Sequence, residues 1–159
     1  MDRKIDIYLA SPYTHPDHRV EKWRYQRVVE AAALLLIEGY KSIYCPISHT
    51  HPIDQALRYE NPEFHQTCRN HKFWVEGFDM PFLLASERLA ILTLPDWMCS
   101  CGILQEIRIA GAHNIPISLL TPIYDNYTKH LINIRWDHDD RYLNNIIREV
   151  GCVSDNEAS

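Results

Sequence analysis

The stretch Leu92–Ala112 constrains this chain more than any other. Arg88–Leu94 (RLAILTL) is a short apolar run of strand length, as expected of a strand covered on both faces. Pro95 and Asp96 break it. Ser100 then supplies an N-cap for a helix starting near Cys101. Within that helix Gly102, Glu106 and Ala110 recur at i, i+4 and i+8 and share one face. Ile103, Leu104, Ile107 and Gly111 occupy the flank expected to pack on the sheet.

The helix is an unusual place for an acid. Its first turn presents unpaired N–H groups and the positive end of the macrodipole, which suit a phosphate or a carboxylate. Gly102 lets a ligand approach the backbone. Helical side chains lean toward the N-terminus, so Glu106 points back toward the Gly102 surface. At ~1.5 Å rise per residue the two positions are roughly 6 Å apart, about one sugar ring. An anion at the helix end and a carboxylate one turn deeper would bracket a sugar phosphate. The plainer alternative is a capped core helix carrying a solvated Glu.

Around this unit the periodicity alternates between strand and helix. Lys4–Ala10 (KIDIYLA) reads as a first strand ending at Ser11-Pro12-Tyr13. Arg19–Glu38 follows as a helix, with an apolar stripe of Val20, Trp23, Val28, Ala31, Ala32, Leu35 and Leu36, and Gly39 at its stop. Ser42–Cys45 is a short second strand. Pro46 to Pro62 reads as a long irregular connection, and Glu63 to about Gly77 as helix, with Phe78–Ala85 interrupted by Pro81. Pro116–Leu120 is a fourth strand, Thr121–Tyr127 loop, Ile132–Trp136 a last strand and Asp139–Val150 a closing helix. The expected organisation is one domain over 1–150 with a frayed 151–159 tail. Such alternation predicts an α/β fold, a parallel sheet with helices on both faces, whose ligands bind at the carboxyl ends of the strands. Three segments converge there: Ser11–His18, Ser48–Ile53 and Asp96–Gly102.

Charge narrows the function classes. With 16 basic and 21 acidic residues the chain carries −5 and has no basic tract, which argues against a nucleic-acid polymer as partner. The opening MDRKIDIYLASPY is too short an apolar run for a signal peptide, and no run approaches membrane-spanning length. Five irregularly spaced cysteines are most simply reduced thiols, so the expectation is a cytoplasmic protein without a membrane partner.

The opening IYLASPY, the central LPDWMCSCGILQE and the closing IRWDHDDRYLNNII resemble the nucleoside 2-deoxyribosyltransferase-like family. That group includes deoxyribosyltransferases and 2'-deoxynucleoside 5'-phosphate N-hydrolases. The resemblance implies a three-layer sandwich with a parallel Rossmann- or flavodoxin-like sheet. It also implies cleavage of an N-glycosidic bond in a nucleotide or nucleoside. On the matching positions, Glu106 is the nucleophile, Tyr8 orients it, and Asp79 assists departure of the base. Ser100 and Gly102 hold the 5'-phosphate. A homodimer or higher oligomer is implied as well, and no cofactor. In this chain SPYTHPDHR replaces the Gly-rich turn of the phosphate-hydrolase branch after the first strand, and the C-terminal polar residue that completes a neighbour's site in the transferases has no clear counterpart.

The residues themselves leave other assignments open. Ser11 falls in the first of the convergent loops. Tyr13 and Trp97 are aromatics that would stack on a base or pack the loops. Asp96 is a second candidate proton donor, and His51 a candidate substrate contact. His49-x-His51 with His15-x-x-His18 invites a metal-hydrolase reading, although no carboxylate ligand is identifiable; the expected metal is none. Glu106, at an ordinary pKa of about 4.3, would already be ionised at neutral pH. Arg19 and Arg24 are solvated helix residues or reach a phosphate. Cys99-x-Cys101 has poor spacing for a disulfide. Trp23, Tyr25, Trp74 and Phe78 cannot all face one sheet, so some would be covered by another copy or by the 46–62 segment. A noncatalytic nucleotide-binding sensor is the alternative from another class.

Overall fold

Alternation along two central strands decides which residues meet. In the computed structural model, β1 (Ile7–Ala10) and β3 (Leu89–Leu92) are buried at every position. Successive side chains enter opposite layers. Ile7, Leu9, Ala90 and Leu92 pack against Val28, Ala31 and Leu35 of α1 (His18–Glu38), with Leu120 on the same side. Tyr8, Ala10, Leu89 and Ile91 face Ile103, Ile107 and Ala110 of the helix that follows β3. The structure describes residues 4–137, 144–146 and 148.

Five strands form one sheet in the order β2-β1-β3-β4-β5. β2 (Ile43–Tyr44), β1, β3 and β4 (Ile117–Tyr124) are parallel, and β5 (Leu131–Asp137) returns antiparallel to β4. With helices on both faces this is the expected α/β sandwich, its sheet mostly rather than wholly parallel. β4 continues through the expected loop at Thr121–Tyr124 because β5 pairs with it as far as Tyr124↔Leu131. Of the closing helix expected over Asp139–Val150, residues 144–146 and 148 are described and are helical. Its remainder and the 151–159 tail lie outside the described residues. Among those described, no helix is long and apolar enough to cross a membrane.

α1 begins where the Asp17 side chain accepts the Arg19 N–H and ends at Gly39, whose φ of 107° suits a residue without Cβ. Its inward stripe departs from expectation. Val28, Ala31 and Leu35 are buried, but Leu36 is 54 % exposed, and the N-terminal half buries Glu21, Arg24 and Arg27 instead. That half overhangs the loops at the carboxyl end of the sheet, where carbonyl oxygens and carboxylates take the place of apolar partners.

The 46–62 segment corrects the sequence reading most. It is a helix, α2 (Pro46–Glu60), with Pro46 in its first turn and Pro52 inside it. Pro46 costs nothing there, since the N–H it lacks would be unpaired anyway. Pro52 removes one intrahelical bond, and burial of Thr50 and Asp54 together with packing of Ile47 on the core offsets that loss. Next come α3 (Pro62–Cys68), capped by the Asn61 side chain, and α4 (His71–Trp74). The chain then widens into a π-helical turn (Val75–Asp79) before α5 (Met80–Leu84). Pro81 therefore occupies a helix start rather than an interruption. After β3, a 3₁₀ turn (Trp97–Cys99) leads into α6 (Cys101–Ala112), where Ser100 Oγ accepts the Ile103 N–H at 3.5 Å. α6 buries Ile103, Glu106, Ile107 and Ala110; Gly111, expected on this flank, is exposed.

Candidate functional site

Two tyrosines in register carry two carboxylic acids. Tyr8 and Tyr44 are direct neighbours on β1 and β2, with ring centroids 5.6 Å apart. The Tyr8 hydroxyl donates to Glu106 Oε1 at 2.6 Å across 98 residues of sequence. The Tyr44 hydroxyl donates to Asp79 Oδ1 at 2.9 Å, and Phe82 stacks on the Tyr44 ring at 4.0 Å. Glu106 is one turn inside α6, Asp79 at the end of the π-helical turn, a feature that often marks functional sites.

Both acids are buried, and burial dominates their electrostatics. It pushes the Glu106 carboxyl up to about 8, with the Tyr8 hydrogen bond pulling it down and the Asp79 charge pushing it further up. Burial also raises Asp79, to about 6, against the Tyr44 hydrogen bond and the nearby His49. The expectation that Glu106 is ionised at neutral pH is therefore corrected: in the free protein it holds its proton at pH 7. The same surroundings push the Tyr8 hydroxyl well above its ordinary value, so it remains a donor.

These groups line a chamber of about 100 Å³ at the carboxyl end of the sheet. Of the residues singled out in the sequence, Ser11, Tyr13, Asp79, Ser100, Gly102 and Glu106 line it together. Ser11 is 7 % exposed, and among the described residues its buried Oγ has no hydrogen-bond partner. Tyr8 braces Glu106 from behind. His51 is not in the chamber wall: its Nδ1 is 2.7 Å from the Tyr13 hydroxyl and its ring stacks on Tyr25 at 4.2 Å. It holds Tyr13 in place. Trp97 packs against the core layer beneath α6, away from the chamber. Asp96 stands outside it on a neighbouring rim, its side chain 72 % exposed and its φ at 65°.

Sequence reasoning misplaced one neighbour and missed others. Arg24, for which a solvated position was one expectation, is 4 % exposed, donates to the backbone oxygens of Thr14 and Pro95, each at 3.1 Å, and so ties the loops after β1 and β3 together. Arg69, in the break between α3 and α4, lines the chamber and approaches Glu21 at 3.4 Å. Glu21 also meets His18 at 2.8 Å, and Asp54 meets His65 at 2.7 Å and Arg58 at 2.9 Å. One signal was available: Glu21 and Arg24 continue the three- and four-residue spacing of Val28, Ala31 and Leu35, so they share the inward stripe. Nothing local announced Arg69.

The histidine pairs gather no metal set. His49 and His51 belong to α2 rather than to irregular chain, and among the described residues no group of three His, Cys, Asp or Glu side chains is placed to hold an ion. Cys45, Cys68, Cys99 and Cys101 are free thiols, the last two exposed.

Residues 5–122 match the family described as "Domain of unknown function (DUF1937)", and the chain belongs to that family. No curated protein matches it.

Proposed function

We propose that this member of the family cleaves the N-glycosidic bond of a nucleotide or nucleoside, with Glu106 as nucleophile. The observation that carries the reading is the Tyr8–Glu106 hydrogen bond of 2.6 Å, at the floor of a chamber whose rim is the Ser100-capped start of α6. A carboxylate one turn below an anion-binding helix end is spaced for a sugar between them.

The anomeric carbon passes through an oxocarbenium-like state, which the Glu106 carboxylate stabilises and captures as a glycosyl ester. The bond to the base breaks with its electron pair leaving on the base nitrogen, and Asp79 supplies the proton that neutralises it. Water then attacks the anomeric carbon, gives its proton to the Asp79 carboxylate and frees Glu106; a second base in place of water makes the reaction a transfer. Tyr8 orients the nucleophile, and Ser11 and Tyr13 contact the substrate. Ser100 and Gly102 receive the 5'-phosphate. Because burial holds a proton on Glu106 below about pH 8, while Asp79, the proton donor, loses its own above about pH 6, turnover follows a bell centred between the two values. The chain requires no cofactor, and acts as a homo-oligomer. Trp74, which lines the chamber, packs with Phe73 and the partly exposed Phe78, an aromatic surface suited to a second copy.

Incubation with a panel of ribo- and deoxyribonucleosides and their phosphates, with chromatography for free base, tests the reading. Release of base that disappears in Glu106→Gln supports it. Binding of nucleotides without release would leave the noncatalytic sensor.

A further inference from the structure

Beyond the chamber that holds Glu106 lies a second compartment. Thr14, Arg69, Asn70, Ser100 and Gly102 line both, so the two spaces meet at the start of α6. The outer one is larger, about 390 Å³ against about 100 Å³. Its character is also different. The inner chamber is walled by four carboxyl groups, those of Glu21, Asp54, Asp79 and Glu106, and one arginine. The outer one adds Arg24 and His15 to Arg69 and the first turn of α6.

Arg24 is the informative residue. Its side chain is 5 % exposed, its Nη groups donate to the Thr14 and Pro95 carbonyls, and among the described residues its one ion-pair partner is Asp96 at 3.5 Å. A buried guanidinium is costly unless negative charge offsets it. Among the described residues Asp96 is the single carboxylate in the outer wall, and with its side chain 72 % exposed it is screened by water. Two guanidiniums and a helix start therefore face a space that one phosphate, seated at Ser100–Gly102, does not fill.

We propose that the outer compartment takes a second phosphate, so that the substrate is a nucleotide carrying a pyrophosphate at its 5' position. Its first phosphate sits at the junction on Ser100 and Gly102, and the next extends toward Arg24 and Arg69. The inference rests on the glycosidase reading only for which end of the ligand enters the chamber.

Calorimetry with inorganic pyrophosphate and inorganic phosphate on the wild-type chain tests the site without knowledge of the base. Pyrophosphate should bind at least tenfold tighter. Cys99 and Cys101 are exposed and line the outer compartment but not the inner one. Pyrophosphate should accordingly slow their alkylation by iodoacetamide, and phosphate at equal occupancy should slow it far less. Equal affinities, or tight pyrophosphate binding that leaves both thiols unprotected, would overturn the proposal. In turnover, nucleoside diphosphates or dinucleotides bridged by pyrophosphate should exceed the matching monophosphates at least tenfold in kcat/KM, and the better of the two classes identifies the source. Base release from monophosphates with no gain from a second phosphate refutes the pyrophosphate site and leaves the glycosidase reading standing. Thiol-protecting pyrophosphate binding with no base released from any compound does the reverse.

Discussion

Replacing Glu106 by glutamine should stabilise this protein, and should do so increasingly as pH rises. Burial lifts the carboxyl from an ordinary 4.5 to about 8. Between those values the folded protein keeps a proton that the unfolded chain has released. The native state thus binds more protons, and stability falls with rising pH across that window. At about 1.4 kcal/mol per pKa unit the full gap corresponds to roughly 5 kcal/mol above pH 8, and relaxation around the ion reduces it to a few kcal/mol. Glu106→Gln keeps the shape and the acceptor for Tyr8 but has nothing to ionise. For a chain of this length ~1 kcal/mol moves Tm by about 2–4 °C. The variant should therefore melt within a degree or so of wild type near pH 5, and about 5–10 °C above it near pH 8.5. Asp79, raised to about 6, adds its own slope to both proteins and cancels in the difference. Differential scanning calorimetry at half-unit steps from pH 5 to 9 reads this directly. A difference in Tm that stays flat over that range, or favours wild type at high pH, refutes the claim that the fold holds Glu106 in a proton-retaining site.

The same variant should lose at least a hundredfold in kcat, about 2.7 kcal/mol of transition-state stabilisation, while wild-type kcat/KM follows a bell between pH 6 and 8, rising as Glu106 ionises and falling as Asp79 loses its proton. Near-normal turnover of the variant would end the nucleophile assignment. Ser100→Ala should weaken nucleotides more than nucleosides, because the hydroxyl belongs to the anion end of the site; equal losses in KM would remove it from phosphate recognition. Dialysis against a chelator should leave base release unchanged, and a loss restored by zinc or manganese would return His49 and His51 to consideration. Light scattering at micromolar concentration should give a mass at least twice 18.7 kDa, and a monomer unchanged by added nucleotide would exclude a shared active site.

Much of the scaffold was legible because local patterns carry it. The alternation of KIDIYLA, the stripe of α1 with Gly39 at its stop, and Ser100 ahead of α6 each reflect interactions within a few residues. α2 was illegible for a related reason. Pro46, Pro52 and two polar histidine positions look locally like a broken loop, and the packing that offsets Pro52 comes from β1 and α1. The inward face of α1 was half visible: the spacing was present, but a search for apolar residues alone passed over Glu21 and did not place Arg24 on that face.

The chemistry divides along the same line. Sequence by itself determined that an acid lies one turn inside a capped helix, four residues from a glycine, because a helix's caps and faces are set by spacing alone. It also determined that Tyr8 faces one layer and Ile7 the other, because a strand alternates. Only the tertiary structure decided that Tyr8 reaches Glu106 and that Tyr44 reaches Asp79 from the adjacent strand. It alone placed Arg69 and Arg24 around one compartment. It also decided the protonation of Glu106. A carboxyl group's pKa is set by all the water that folding removes and all the charges it brings near, and for Glu106 those contributions are its burial, Tyr8 on β1 and Asp79 in the π-helical turn rather than its neighbours in sequence.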